Sequence, residues 1–282
     1  MNENASGPAQ DSAQECIAFI GGGNMAGAII GGLIRQGLSP SQVEVVEPFA
    51  DSREKLKAQF GVLAQELAGP SLARASVAVW VVKPQTFKQA AAQAREFTGS
   101  ALHLSVAAGI RSSSIAQWLG TDRIVRSMPN TPALVGKGMT ALYSRPTVTQ
   151  ADKRRVEQII STTGDSLWVT DEQDLDAVTA LSGSGPAYVF FFIEAMTKAG
   201  VEMGLSREQA LQLSIGTFVG ASELARASDD PPEILRERVT SKGGTTYAAI
   251  TSMEQDKVAA LFGKALHAAR QRATELGDEF GP

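Results

Sequence analysis

The chain has 282 residues, 43% of them hydrophobic and 20% charged, enough for one large or two ordinary globular domains. Its net charge of −4, with no local Lys/Arg cluster to offset it, leaves no electrostatic footprint for nucleic acid or an anionic membrane. A single cysteine, Cys16, and two histidines, His103 and His267, exclude an intrachain disulfide and a cysteine-rich metal centre, argue against a zinc enzyme, and restrict any scheme that needs a histidine base.

Residues 1–15, opening "MNENASGPAQDSAQ", lack the basic start and apolar core of a signal peptide and read as a disordered polar tail. "CIAFI" (16–20) is a short apolar strand that stops at glycines. Residues 24–36 then put Met25, Ile29, Ile30, Leu33 and Ile34 on one helical face. Next come the strand "VEVVE" (43–47), an acid-capped helix "DSREKLKAQF" (51–60) and the uninterrupted apolar strand "SVAVWVV" (76–82). A helix over 87–97, "ALHLSV" (101–106), "DRIVRSM" (122–128), a strand at 138–143, a helix at 149–162 and "SLWVT" (166–170) continue the alternation. Near-continuous apolar strands separated by helices predict an α/β domain over 16–170, its mostly parallel sheet covered on both faces.

After Thr170 no β-branched strand run remains. Helices are expected over 171–180, 186–203, 206–227, 231–238, 243–252 and 254–276, so 171–282 reads as an all-α domain. Its longest apolar run, "AYVFFFI" (187–193), is far short of the roughly 18 residues a bilayer crossing needs. It reads as a buried helix in a cytoplasmic protein. The helix 186–203 carries Val189, Phe190, Phe191, Phe192, Ile193 and Met196 all round. It therefore needs cover on every side, from a partner chain or from its own.

The order strand, "GGGNMA" (21–26), helix fits a dinucleotide-binding fingerprint with Ala26 at the third small position. In that reading Gly21 makes the tight turn, Gly23 lets the backbone approach a pyrophosphate, and the first N–H groups of the helix face the phosphates. Gly27, Gly31 and Gly32 continue a small-residue face suited to close packing. The other reading is a glycine turn with no ligand. Glu47, at the end of "VEVVE", is either the acid that binds the adenosine ribose or a solvated strand-end carboxylate. Lys83 and Pro84 in "VVKPQ" (81–85), the small residues of "LSVAAGI" (104–110) and the segment "RSMPNTP" (126–132) end three further strands. Open α/β sheets bind ligands at such ends. In the helical half, "SGSGPAY" (182–188) and "TSKGGTT" (240–246) each feed a helix start. Such loops suit a small carboxylate, or they simply cap helices.

Together "GGGNMAGAI", "VKPQ", "SVAAGI", "RSMPNTP", "LSGSGPAYVF", "MGLSREQA" and "VTSKGGTT" resemble the pyrroline-5-carboxylate reductase family over about 17–280. The resemblance implies a Rossmann-like NAD(P)-binding domain over 16–170 and a helical substrate-binding and dimerisation domain over 171–282. It also implies an NADPH- or NADH-dependent reduction of the cyclic imine 1-pyrroline-5-carboxylate to proline. It gives a homodimer through the helical domain, with higher assemblies of dimers, and neither nucleic acid nor membrane as partner. Carried over, Gly21, Gly23, Asn24 and Met25 meet the pyrophosphate, Glu47 stands by the ribose, and Lys83, Pro84, Ala107 and Asn130 line the nicotinamide half. Ser184, Ser241, Gly243, Gly244 and Thr245 hold the substrate carboxylate, and Thr246 is the catalytic candidate at the ring nitrogen.

Two positions depart from the family pattern. Lys242 stands where proline is usual, and "EPFADSR" (47–53) replaces small polar or basic residues after the second strand. Glu47 there disfavours a 2′-phosphate while Arg53 attracts one, which leaves the coenzyme preference open. Imine reduction suits so histidine-poor a chain, because a protonated imine is already an electrophile and needs mainly alignment. Two other readings share the two-domain plan. One is a β-hydroxyacid or ketopantoate-type dehydrogenase using Lys198 as acid–base. The other is a nucleotide-sensing protein without catalysis.

Overall fold

The computed structural model of the chain describes residues 16–280; the expected tail at 1–15 lies outside the described residues. By internal contacts the chain forms two compact units. One runs to Val178 and takes in residues from Ala273 onward; the other is Thr179–Arg272.

The first unit is an eight-stranded sheet. Its strands are β1 (Cys16–Ile20), β2 (Val43–Val46), β3 (Ala64–Gln65), β4 (Ala75–Trp80), β5 (Leu102–Ser105), β6 (Ile124–Met128), β7 (Gly138–Ser144) and β8 (Gly164–Trp168). They lie in the order β3-β2-β1-β4-β5-β6-β7-β8. All neighbours are parallel except β6 and β7. Side chains alternate along each strand, so Ile17 and Phe19 of β1 face one layer, with Ala18 and Ile20 facing the other. The first layer is closed by α1 (Asn24–Arg35), α2 (Ala50–Phe60) and α5 (Gln150–Ile160); the second by α3 (Pro84–Thr98) and α4 (Ser112–Leu119). The expected face of α1 is the buried one: Ile29, Ile30 and Leu33 are enclosed, with Met25 and Ile34 packed at the margin. Gly31 and Gly32 serve that packing, since an added Cβ would lie 2.8 Å from Phe60 and 2.5 Å from Thr162.

Two elements have no counterpart in the sequence reading. β3 is two residues long and shows no period, and α4 opens on three serines, poor helix formers. The short α6 (Asp174–Val178) completes this unit.

The second unit is helical: α7 (Gly185–Glu202), α8 (Arg207–Arg226), α9 (Pro232–Arg238), α10 (Thr245–Gln255) and most of α11 (Val258–Glu279). A π-helical turn, Thr179–Gly183, precedes α7. α10 and α11 are separated at Lys257, which has φ 55°, so the last helix starts later than residue 254. Tyr188 and Phe192 of α7 pack edge-on against Phe262 of α11 at 5.6 and 5.7 Å. The unit buries little: of Thr179–Arg272 only Ala180, Thr197, Gly200, Ala210 and Ser214 are enclosed. On α7, Phe190 and Phe191 are 64% and 66% exposed. A single chain therefore does not supply the cover that this helix needs.

Candidate active site

Because β1 to β6 run parallel, the loops that follow β1, β2, β4, β5 and β6 all emerge along one edge of the sheet. The order reverses between β2 and β4, on either side of β1, the usual place for a dinucleotide. Gly21 makes the turn out of β1. Its φ is 102°, its N–H donates to the Val46 carbonyl at 2.8 Å, and an added Cβ would sit 2.4 Å from the Val81 oxygen. No other residue fits there. Gly23 is the N-cap of α1, no side chain caps the helix, and an added Cβ at Gly23 would meet nothing within 4 Å. The opening N–H groups of α1, including those of Asn24 and Met25, thus lack intrahelical acceptors and border open space, the requirement for a pyrophosphate. A cleft of about 570 Å³ begins at Gly22, Gly23 and Asn24 and continues past Ser52 and Lys55 of α2.

Glu47 is nearly enclosed, at 5% exposure. Its Oε2 accepts from the Gly22 N–H at 2.7 Å and its Oε1 from the Phe49 N–H at 2.9 Å. The sequence reading gives Gly22 no role, and no pattern of residue types signals this bond. Lys83 is exposed and is the N-cap of α3, whose first residue is Pro84. Ala107, past β5, is buried with its N–H turned to Ser105 Oγ at 3.3 Å. Asn130, past β6, accepts the Met139 N–H on Oδ1 at 2.9 Å. Gly21, Gly23, Asn24, Met25, Glu47, Lys83, Pro84, Ala107 and Asn130 therefore all belong to this one edge.

The remaining candidates belong to the helical unit. Ser184 is the N-cap of α7; its N–H donates to the Thr179 carbonyl at 2.8 Å, and its side chain does not cap the helix. Ser241 accepts the Gly244 N–H on its carbonyl at 3.0 Å, closing a turn through Gly243 at φ 75°. Gly244 is the N-cap of α10, again without a side-chain cap, and an added Cβ there would lie 2.7 Å from Ser241 Oγ. Thr245 and Thr246 open α10. Capping, the plainer reading of both loops, is not what their serines do. The first turn of α10 keeps its N–H groups for an anion, whereas in α7 Pro186 has no N–H and Ala187 donates to the Ser184 carbonyl at 3.0 Å. Lys242 and Lys198 are exposed.

The sheet unit also holds a charged cluster. Arg126, 5% exposed on β6, pairs with Glu172 at 2.6 Å, and Glu172 also accepts from the N–H and Oγ of Ser112 at 2.5 and 2.7 Å. Burial pushes the Glu172 carboxyl upward, but Arg126 and the Ser112 bonds outweigh it and hold the group below its ordinary value. Arg111 grips Asp176 through two bonds of 3.1 and 3.0 Å, and Thr274 Oγ1 donates to the same carboxylate at 3.0 Å.

Residues 172–276 match the family model described as pyrroline-5-carboxylate reductase dimerisation, and 16–109 match NADP oxidoreductase coenzyme F420-dependent. A pyrroline-5-carboxylate reductase of Pseudomonas aeruginosa is 45% identical over 94% of this chain and 98% of its own. That of Pisum sativum is 36% identical over 92% and 95%. Among solved structures, a pyrroline-5-carboxylate reductase from Coxiella burnetii superposes with a TM-score of 0.87 at 38% identity, covering 93% of this chain and 98% of that one. The Plasmodium falciparum pyrroline carboxylate reductase, solved with NADP bound, gives 0.82 at 29% identity, covering 93% and 98%.

Proposed function

Because the chain belongs to the pyrroline-5-carboxylate reductase family, we propose a division of labour among its residues for reducing 1-pyrroline-5-carboxylate to proline with NADPH or NADH. The observation that carries it is the glycine turn into α1, where Gly21 at φ 102° makes the turn, no side chain caps the helix, and Gly23 leaves open space before its first N–H groups. The first turn of α10 likewise starts without a side-chain cap and offers backbone donors to a negative group.

The N–H groups that open α1, at Asn24 and Met25, take the pyrophosphate, with Gly21 fixing the turn and Gly23 leaving room. Lys83, Pro84, Ala107 and Asn130 border the nicotinamide half of the edge. When bound, the reduced nicotinamide supplies the hydride for the imine carbon. Ser184 and the turn Ser241–Gly244 with Thr245 hold the substrate carboxylate, using donors that carry no charge of their own. Thr246, on the first turn of α10, hydrogen-bonds the ring nitrogen, which takes up a proton before transfer, receives the C=N π pair as hydride joins the carbon, and stays in the ring as the amine of proline. Alignment supplies most of the rate, since the protonated imine needs no base to activate it.

Residues 171–282 form the substrate-binding and dimerisation domain in this reading. The enzyme works in the cytoplasm as a homodimer through its helical half, and dimers associate further. Among the described residues no helix is long and apolar enough to cross a membrane. Family membership removes the grounds for the hydroxyacid-dehydrogenase and nucleotide-sensor readings. The test follows NADH and NADPH oxidation side by side with 1-pyrroline-5-carboxylate. Turnover with either supports the assignment, and inertness with both overturns it.

A further inference from the structure

We propose that Glu47 is a positioning residue of the phosphate-binding loop, and neither a ribose ligand nor the selector between NADH and NADPH. The inference rests on the reading of the sheet edge as the coenzyme site. An acid at this strand end is expected to present its carboxylate to the adenosine ribose. Here each oxygen accepts from the backbone, Oε2 from Gly22 and Oε1 from Phe49, at 2.7 and 2.9 Å, and at 5% exposure the residue gives a ribose hydroxyl little access to the lone pairs that remain. The side chain is packed as well as bonded. A Cβ on Gly22 would lie 3.1 Å from Glu47 Cβ and Cγ and 2.8 Å from Leu56 Cδ1. Turning toward a ribose hydroxyl would leave the N–H of Gly22, a buried residue, without an acceptor, an outcome proteins avoid.

The backbone that carries Glu47 is itself held. Arg53 donates from Nη1 to the carbonyls of Glu47 and Pro48 at 2.9 and 2.8 Å, and its Nη2 lies 3.5 Å from Glu66. Arg53 thus fixes the turn that presents Glu47 to Gly22 and Phe49. Glu47 joins two strand ends: it pins Gly22, one residue before the N-cap of α1, to Phe49, the N-cap of α2. Its effect on coenzyme passes through the shape of the loop that meets the pyrophosphate. NADH and NADPH share that group, so both depend on Glu47 alike.

Coenzyme fluorescence titration of the full chain tests this. A glutamine amide accepts from only one of the two N–H groups. In Glu47→Gln the Kd values for NADH and NADPH should both rise about three- to tenfold, with their ratio within about twofold of the parent's. The loss should appear in coenzyme KM rather than in kcat. Gly22→Ala strains the same contact, so the double variant should bind more tightly than the product of the two single effects implies. A shift of about tenfold or more toward NADPH in Glu47→Gln, or full additivity with Gly22→Ala, overturns the proposal. Binding is a property of the folded fraction, so reduced stability does not mask the ratio. A parent protein that binds neither coenzyme overturns the coenzyme-site reading itself, whereas a changed ratio overturns only the role of Glu47.

Discussion

His103 lies in the middle of the sheet unit, 1% exposed on β5, with Nδ1 accepting from Trp80 Nε1 at 3.0 Å. Burial pushes its pKa down to about 4, and Arg123 acts in the same direction. The unfolded chain takes up this proton near pH 6.5 and the folded one only near 4. The stabilisation is therefore complete above pH 6.5 and is lost as the pH falls toward 4, a span of about 3 kcal/mol. In His103→Gln, which keeps an acceptor for Trp80, urea melts between those pH values should show a flatter dependence by about one proton. Thr246 is argued at the same scale. Thr246→Ala should lower kcat about tenfold or more while the Kd for coenzyme holds, as for any hydrogen bond made mainly in the transition state; unchanged kinetics removes it from the mechanism. Residue types and spacing made Gly21, Gly31 and Gly32 legible, because tight turns and close helix packing both demand glycine. They did not reveal what Glu47 bonds, since a strand-end acid looks the same whether it faces ligand or backbone.

Among the elements most were legible, even the four-residue β2 and β5 and the seven-residue α9. β3 has only two residues and so no alternation, and α4 opens on three serines that mask its helical period. The segment 171–178 shows a different limit. Composition changes at residue 170, yet α6 still belongs to the sheet unit. Glu172 and Asp176 hold it there through Arg126, Ser112 and Arg111, partners far away in sequence. Glu172→Gln leaves the Arg126 guanidinium buried without its counter-charge, and should cost about 3 kcal/mol in a denaturant melt. A smaller loss than about 1 kcal/mol would mean that water reaches Arg126. The uncapped start of α10 was half legible: "TSKGGTT" announced a turn before a helix, but only the geometry separates a serine that caps from one whose carbonyl closes the turn.

The molecule as a whole has one half with two packed layers and another with almost no enclosed side chains. The aromatic run 190–192 signalled this in the sequence, because no helix can leave it uncovered in water. Phe191→Glu should shift sedimentation toward a single chain and lower the melting temperature of the helical half. A variant that keeps the parent's mass in solution would place the interface on another face. The family model for dimerisation covers the same helices.

The return of the last residues to the sheet unit bears on how such a molecule is made. Synthesis runs from the N-terminus, so the strands and the glycine loop leave the ribosome first. The groups that complete their packing come last: Leu276 against Gly109, Gly277 against Arg111, Thr274 on Asp176, and Phe280 at the edge of the second layer. All of Thr179–Arg272 is made in between. A growing chain thus carries an unfinished sheet unit until α11 emerges, by which time α7 to α10 have already been made. Completion of the sheet unit therefore waits on the same helix that completes the helical one.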